Sequence, residues 1–472
     1  MSVKVTGDTE EAKYIAELIE RARKAQKAAE QFTQEQADEL CTAIVWEIIR
    51  NEDIVKDLAV RSMEEIRLGD VPSKVGKLSG KIRGLLYDLN KLKSVGVVEE
   101  IPERGLQRIA KPVGVIGSLV PSTQPEMIPI MQAMNAVKAR DAIIFSPHPR
   151  GKKTTEYTID LVRSVMKKYG APEDLFLAIP EPSLAKTNEL MKQCDLVIAT
   201  GGFPMVKAAY SSGTPAYGVG AGNAQIVIDA TADLADAAAK IKASKTFDLA
   251  AGCSCDNSLI VHESVYDAFL EEAKKVGMYL VPPEKKADVQ RAIWPNYPED
   301  HVINRDIVAK PADYIAQLAG LDVPEDTCMF LVEETVAGSS TPFAGEKMCL
   351  VTTLYKCRSI DEAIEITVKN QEYSGAGHSC GIYSRTAENI EKYALATYTT
   401  RVVVNQPQAA TNTGSWTSGM PFTSSLGCGT WGGNIASENI SLKHFLNNTW
   451  VIREIPNFQV GDDELFRGFQ PK

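Results

Sequence analysis

Lys245-Thr246-Phe247-Asp248-Leu249-Ala250-Ala251-Gly252-Cys253-Ser254-Cys255 puts a cysteine among small residues, between a helix-like segment and the strand-like run Ser258-Leu259-Ile260-Val261. A thiol so placed can be reached by a small molecule. Its thiolate is the form that attacks a carbonyl, so the surroundings of Cys253 are expected to lower its pKa from the free value of about 8.5. A lone cysteine also packs well as a small hydrophobe. The flanking sequence has to separate the two readings.

Upstream, short β-rich runs at 113–120, 142–145, 175–179, 196–200 and 226–228 alternate with helical patterns. A second series follows the cysteine, at 259–262, 329–332, 350–355, 381–383 and 402–405. That alternation marks open parallel sheets covered by helices, so the fold class is α/β. Two such domains are expected, with Cys253 where they meet, a common place for a ligand site. The expected boundaries are 1–242, 243–410 and a closing segment 411–472. Ahead of the first series, Ala12, Ile15, Leu18, Ile19, Ala22 and Ala25 recur at helical spacing, and Thr33 with Gln36 forms a capping-box signature before Ala37, Leu40, Ile44 and Ile48. Two helices therefore open the chain. Runs 97–100 and 106–110, joined by Pro102-Glu103-Arg104-Gly105, read as a β-hairpin within about 94–111, and 450–455 as a late strand.

Composition fits a soluble enzyme. The 472 residues, 44% of them hydrophobic, suffice for two or three cores. A formal net charge of −10 disfavours nucleic acid and anionic membranes as partners. Nine cysteines are scattered without a disulfide framework, which suits a reducing cytoplasm. Cys253-Ser254-Cys255 is too short a pair for zinc, and no spaced histidine pair accompanies it, so no metal site is expected. Asp8, Glu10 and Glu11 stand where a secretory signal would be apolar, and no apolar run approaches the ~20 residues of a membrane span.

Four motifs stand in order along the chain: Val113-Gly114-Val115-Ile116-Gly117 running to Pro121-Ser122-Thr123-Gln124-Pro125, then Ala199-Thr200-Gly201-Gly202, Phe247 six positions before Cys253, and Glu346-Lys347-Met348. Together they resemble the aldehyde dehydrogenase superfamily in its coenzyme A-acylating branch, from about Ala12 to Asn439. The resemblance implies a Rossmann-type cofactor domain, an α/β catalytic domain and a β arm that joins subunits into homodimers or homotetramers. It makes Cys253 the nucleophile. It places Thr200, Gly201, Gly202 and Gly220 against an NAD or NADP dinucleotide, with Glu346 on the nicotinamide ribose. Thr123 falls where hydrolytic members carry an asparagine that donates to the developing oxyanion, and the Cys253 N–H would be the second donor.

The departures carry as much. Hydrolytic members have a Glu-Leu-Gly-Gly motif whose glutamate activates water. Here the matching stretch is Gly218-Val219-Gly220-Ala221-Gly222-Asn223, and Gly218 stands 35 residues before Cys253. General-base help worth roughly 10²–10⁴ in rate is missing, which favours coenzyme A over water as acceptor of the acyl group. Ser146-Pro147-His148-Pro149-Arg150-Gly151 follows the second strand, where the family grips adenosine. Ser146, His148, Pro149 and Arg150 are therefore candidate contacts to the cofactor or to the phosphates of coenzyme A. Gly377-His378 resembles a Gly-His of acylating members, so His378 is a candidate proton shuttle. Asn412, Thr413, Ser415 and Trp416 fall in the segment that closes the family's aldehyde pocket. Their neutral donors suit a sulfonate or carboxylate. The expected reaction is reversible acylating oxidation of a small anionic aldehyde, of the sulfoacetaldehyde or succinate semialdehyde type. An uncharged short-chain aldehyde, a hydrolytic enzyme with another base, and a nicotinamide-independent cysteine acyltransferase remain open.

Overall fold

Helices α1 (Glu10–Ala29) and α2 (Gln34–Ile44) form where the apolar periodicity places them, α1 burying Ile15, Leu18, Ile19 and Ala22 and α2 opening on the Thr33–Gln36 capping box. The computed structural model describes residues 7–470. Two further helices follow without having been foreseen, α3 (Glu52–Ile66) and α4 (Val71–Leu89). In α4, Lys74, Lys77 and Lys81 share a face at helical spacing, so the stripe looks solvated in sequence. In the fold Lys74 and Lys77 are buried.

The strands are β1 (Gly96–Ile101), β2 (Leu106–Pro112), β3 (Val115–Val120), β4 (Ala142–Pro147), β5 (Phe176–Ala178), β6 (Leu196–Thr200), β7 (Ala216–Val219), β8 (Ala224–Ile228), β9 (Asp256–His262), β10 (Met278–Leu280), β11 (Met329–Glu333), β12 (Val351–Cys357), β13 (Cys380–Tyr383), β14 (Val402–Val404) and β15 (Leu446–Ile452). Crossovers α5 (Ile128–Ala139), α6 (Lys152–Lys168), α7 (Leu184–Gln193) and α8 (Phe203–Tyr210) link β3 through β7, and α9 (Leu234–Thr246) lies between β8 and β9. Three sheets result among the described residues. The first is parallel in the order β5-β4-β3-β6-β7, the second parallel in the order β10-β11-β12-β9-β8-β13-β14, and β1-β2-β15 is antiparallel. Strands β3, β4, β8 and β13 are buried along their whole length, and so on both faces, as crossover connections require, while the edge strands β7, β10 and β14 are partly exposed.

In the first sheet the chain runs from β3 outward through β4 to β5, then returns to place β6 on the other side of β3. The strand order reverses there, and a crevice opens beyond the carboxyl ends of β3 and β6, where such sheets bind ligands.

One strand is reassigned. The run 226–228, read as the last of the first series, belongs to β8 and pairs with β9 and β13 in the second sheet. The change of sheet therefore falls at 220–223, ahead of the boundary expected after 242. An all-apolar run has the same pattern in either sheet, so periodicity cannot assign it. Strands β7 and β10, four and three residues long, were not foreseen. The late strand begins at Leu446, not 450, because its first residues are held by pairing with Pro112, Lys111 and Ala110 of β2.

Candidate active site

Between the two parallel sheets lies a cavity of about 500 Å³. Its first wall is made by the loops after three strands of the first sheet. Thr123 comes from the loop after β3, Ser146, His148 and Pro149 from the end of β4, and Thr200, Gly201 and Gly202 from the end of β6. Gly202 is the N-cap of α8 and supplies no side-chain cap. In its first turn Pro204 has no N–H and the Met205 N–H donates to the Gly202 carbonyl at 3.0 Å, so what the terminus offers a dinucleotide phosphate is the positive end of the helix dipole and not a row of free donors. A Cβ on Gly201 or Gly202 would meet nothing closer than 3.7 Å within the protein, so both glycines leave the approach open. The set fits a dinucleotide: bare backbone, a helix terminus, and a crevice at the switch of strand order. Arg150 lies outside the lining. It is exposed on the short turn Pro149–Gly151, where its N–H donates to His148 Nδ1 at 3.1 Å.

The second wall carries Cys253. The chain leaves α9 and passes through three successive non-glycine residues with positive φ, Asp248, Leu249 and Ala250. Each costs on the order of 1–2 kcal/mol, so the surroundings must hold them. Asp248 is clamped by Lys77 Nζ at 2.6 Å, Lys74 Nζ at 3.5 Å and the Asp70 N–H at 3.0 Å, and its own N–H donates to Ser73 Oγ at 3.0 Å. Burial pushes the Asp248 carboxyl up, but Lys77 and Lys74 outweigh it and the net direction is down. Glu126, bonded by Ser62 Oγ at 2.8 Å, completes the buried cluster. Helix α4 thus fixes the approach to the nucleophile. Behind Cys253 the backbone of Gly222 lies so close that a Cβ there would be 1.7 Å from the Cys253 carbonyl oxygen.

Cys253 is partly exposed at this wall, and its Sγ lies 3.2 Å from His378 Nε2. The expected depression of the thiol pKa is not found. Burial pushes it up to about 12, the Glu346 charge adds to the rise, and Arg401 opposes it. Loss of solvent outweighs the cation. Glu346 lines the cavity too, with its carboxyl pushed up to about 8 by burial against Lys245 and the Gly222 N–H. Burial and then Arg401 push His378 down to about 3, so the imidazole is neutral.

Gly220 lines the cavity, whereas Gly218 does not. A Cβ at 218 would stand 2.5 Å from Val206 Cγ1 and 2.8 Å from Tyr210 Cε2, so no carboxylate side chain has room there. Of the four residues expected at the aldehyde, Thr413 alone lines the cavity. Asn412 is buried behind it, donating to Ser379 Oγ at 3.0 Å. Ser415 pairs with Thr417, and Trp416 is 62% exposed against Tyr87 and Phe422. These two point away because the loop turns at Gly414, whose positive φ sends the chain over Phe422.

Sequence reasoning missed Lys81. Its side chain lines the cavity and its ammonium donates to the Ala410 carbonyl at 2.6 Å and to the Gly414 carbonyl. Among the described residues it has no carboxylate partner, and burial pushes it down to about 7. The signal was there in the Lys74, Lys77, Lys81 spacing, but an exposed helix face shows the same pattern. Among the described residues no group of three or more His, Cys, Asp or Glu could hold a metal ion, and no helix is long and apolar enough to cross a membrane.

A sequence profile described as the aldehyde dehydrogenase family matches residues 3–290. The chain is 45% identical to a sulfoacetaldehyde dehydrogenase of Acholeplasma sp, over 96% of this chain and 93% of the relative. It is 42% identical to an acylating sulfoacetaldehyde dehydrogenase of Bilophila wadsworthia, over 98% and 99%. The crystal structure of an acetylating aldehyde dehydrogenase from Geobacillus thermoglucosidasius superposes with a TM-score of 0.90 at 34% identity, covering 96% of this chain and 99% of that one.

Proposed function

Because the chain belongs to the aldehyde dehydrogenase family, we propose that it oxidises a small anionic aldehyde to its coenzyme A thioester, with NAD or NADP as hydride acceptor. Cys253 Sγ bonds to the aldehyde carbon, and Thr123 Oγ1–H with the Cys253 N–H donate to the resulting oxyanion. Losing one such donor commonly costs about 10²–10³ in rate. Oxidised nicotinamide, when bound, supplies the hydride acceptor. Gly201, Gly202, Gly220 and Glu346 would hold its nicotinamide half, with Ser146, His148 and Pro149 towards adenosine. The acyl group, now a thioester on Cys253, passes to the coenzyme A thiolate, and Cys253 leaves as thiolate.

Gly218 carries the acylating reading. The position that holds the water-activating glutamate in hydrolytic members is filled here by Val206 and Tyr210. A thiolate acceptor needs no base to take a proton from it, whereas water does. Lys81 supports an anionic substrate: a cation in the cavity wall, without a carboxylate partner among the described residues, stands beside the loop that carries Thr413. A sulfonate is favoured over a carboxylate by the likeness to sulfoacetaldehyde dehydrogenases.

Formation of reduced cofactor from sulfoacetaldehyde, succinate semialdehyde, acetaldehyde and propionaldehyde, each with and without coenzyme A, tests the proposal. Sustained turnover should require coenzyme A, and its absence should leave at most one reduced cofactor per active site. Steady acid production at a comparable rate without coenzyme A defeats the reading. The antiparallel sheet β1-β2-β15, with Trp450 and Ile452 exposed, supports a homodimer or homotetramer. Nine free cysteines support a reducing compartment, the cytoplasm.

A further inference from the structure

A chain of hydrogen bonds runs from the nucleophile into the protein. His378 Nε2 meets Cys253 Sγ at 3.2 Å, and His378 Nδ1 meets Ser379 Oγ at 2.9 Å. Ser379 Oγ accepts from Asn412 Nδ2 at 3.0 Å. The Asn412 main chain is held, its backbone carbonyl accepting from Asn439 Nδ2 at 3.0 Å, while its side-chain Oδ1 is buried with no hydrogen-bond partner among the described residues. Asn439 Oδ1 accepts from Arg401 Nη1 at 3.0 Å, and Arg401 Nη2 donates to the His378 carbonyl at 2.9 Å. The ring closes on the histidine where it began. His378, Ser379, Arg401, Asn412 and Asn439 are all buried.

Hydrogen accounting within the ring decides what His378 offers. Asn412 donates through Nδ2, so the Ser379 hydroxyl hydrogen is left to donate, and His378 Nδ1 is its partner in reach. A neutral imidazole that accepts at Nδ1 carries its hydrogen on Nε2. We propose that Ser379 and Asn412 are positioning residues that hold His378 as the Nε2–H tautomer, so that it faces Cys253 as a hydrogen-bond donor and not as a base. The donor then stabilises the Cys253 thiolate twice, before it attacks the aldehyde and again when it leaves as the acyl group passes to coenzyme A. Because Nε2 has no free lone pair, the thiol proton departs through the cavity to solvent. Burial keeps the imidazole neutral, in agreement with this role.

The inference rests on Cys253 as nucleophile. Its tests use no aldehyde, so its failure is distinct from a failure of the substrate reading. In protein labelled with ¹⁵N-histidine, the His378 nitrogens are identified by their loss in His378→Gln. Nε2 should be protonated and Nδ1 unprotonated, and the reverse assignment overturns the proposal. Asn412→Asp offers Ser379 only an acceptor, so the hydroxyl should turn to the carboxylate, Nδ1 should keep the hydrogen, and the assignment should invert. An unchanged assignment in that variant also overturns it. Alkylation of Cys253 by iodoacetamide, followed by mass spectrometry of its peptide across pH, supplies the functional reading. Ser379→Ala should move the thiol titration to higher pH and slow alkylation about tenfold at about pH 7.5, and Ser379→Thr should restore it. A titration that stays in place in Ser379→Ala, or moves to lower pH, overturns the proposal.

Discussion

The two walls of the cavity are built on opposite plans. The first, at the ends of β3, β4 and β6, is mostly backbone: glycines, prolines and an uncapped helix terminus, each placed by a strand a few residues away. The second is a lattice of side chains drawn from distant parts of the sequence, with Lys74 and Lys77 on Asp248, and His378, Ser379 and Asn412 behind Cys253. A backbone wall tolerates different ligands in turn, since a helix terminus and open space suit any phosphate. A side-chain wall fixes one sulfur in one direction. The difference suits a reaction in which cofactor and acyl acceptor change while the nucleophile stays.

The sharpest test of the side-chain wall is its sulfur. Cys253→Ala should lower both aldehyde oxidation and acyl-CoA reduction by at least about 10⁴-fold. Cys255→Ala should keep activity within about tenfold, although both residues line the cavity. Cys255 is buried, and no hydrogen bond links its Sγ to His378. Purified variants assayed in both directions decide the matter. If Cys255→Ala is the inactive one, the nucleophile has been assigned to the wrong cysteine.

Gly222 is where the two walls meet. A Cβ there stands 1.7 Å from the Cys253 carbonyl oxygen, so Gly222→Ala must displace one backbone or the other. A shift near 1 Å at the nucleophile costs about 10²-fold in rate. The expected outcome is that loss in kcat/KM, with dissociation of the reduced cofactor, read by its fluorescence, changed by less than about tenfold, because the first wall is untouched and the cofactor is reached only through the Gly222 N–H on Glu346. Equal losses in both would show the walls to be coupled.

The same contrast explains what was legible in the sequence. Strand ends and the cysteine's own context are local, and they pointed to Cys253 between two α/β series; Thr123, Thr200, Gly201, Gly202 and Gly220 came through the family resemblance, and all six line one cavity. Glu346 and His378 were found through the resemblance, not through any pattern that composition or spacing reveals. What the sequence could not show was long-range. Nothing in Lys74-x-x-Lys77 says that Asp248 will neutralise it, and nothing in Asn412 says that it faces Ser379 and not substrate. The expected fall in the Cys253 pKa failed for a related reason: it assumed nearby charge and left out the desolvation that folding imposes.

Lys81 is the cation that side-chain patterning disguised, and its removal should have an effect smaller than those above and selective. Lys81→Met should lower kcat/KM for sulfoacetaldehyde roughly ten- to a hundredfold, the worth of one charged hydrogen bond, with acetaldehyde changed less than about threefold. The pH dependence has a definite sign. Burial pushes the Lys81 ammonium down to about 7, so it is charged below that pH and neutral above it. The ratio of kcat/KM for the anionic to the uncharged aldehyde should therefore fall as pH rises through about 7; taking the ratio cancels the thiol titration common to both substrates. A ratio flat across that range in wild type, or a uniform loss on all aldehydes in Lys81→Met, removes Lys81 from substrate recognition.

The smallest effects should come from the loop residues that lie outside both walls. Ser415 is engaged with Thr417, and Trp416, 62% exposed, packs its ring 5.5 Å from Tyr87 and 5.3 Å from Phe422. Neither lines the cavity. Ser415→Ala and Trp416→Ala should each keep the anionic-to-uncharged ratio within about twofold, since no group that meets substrate is altered. Trp416→Ala should instead lower stability by about 0.5–1.5 kcal/mol, the worth of an aromatic contact of this kind, measured by denaturant unfolding. Phe422 lies where a Cβ on Gly84 of α4 would be 2.3 Å from its ring, so the loop is seated on the helix that carries Lys81. If Trp416→Ala shifts the substrate ratio by tenfold or more, the loop reaches the aldehyde through that helix, and the boundary drawn between the side-chain wall and its surface is in the wrong place.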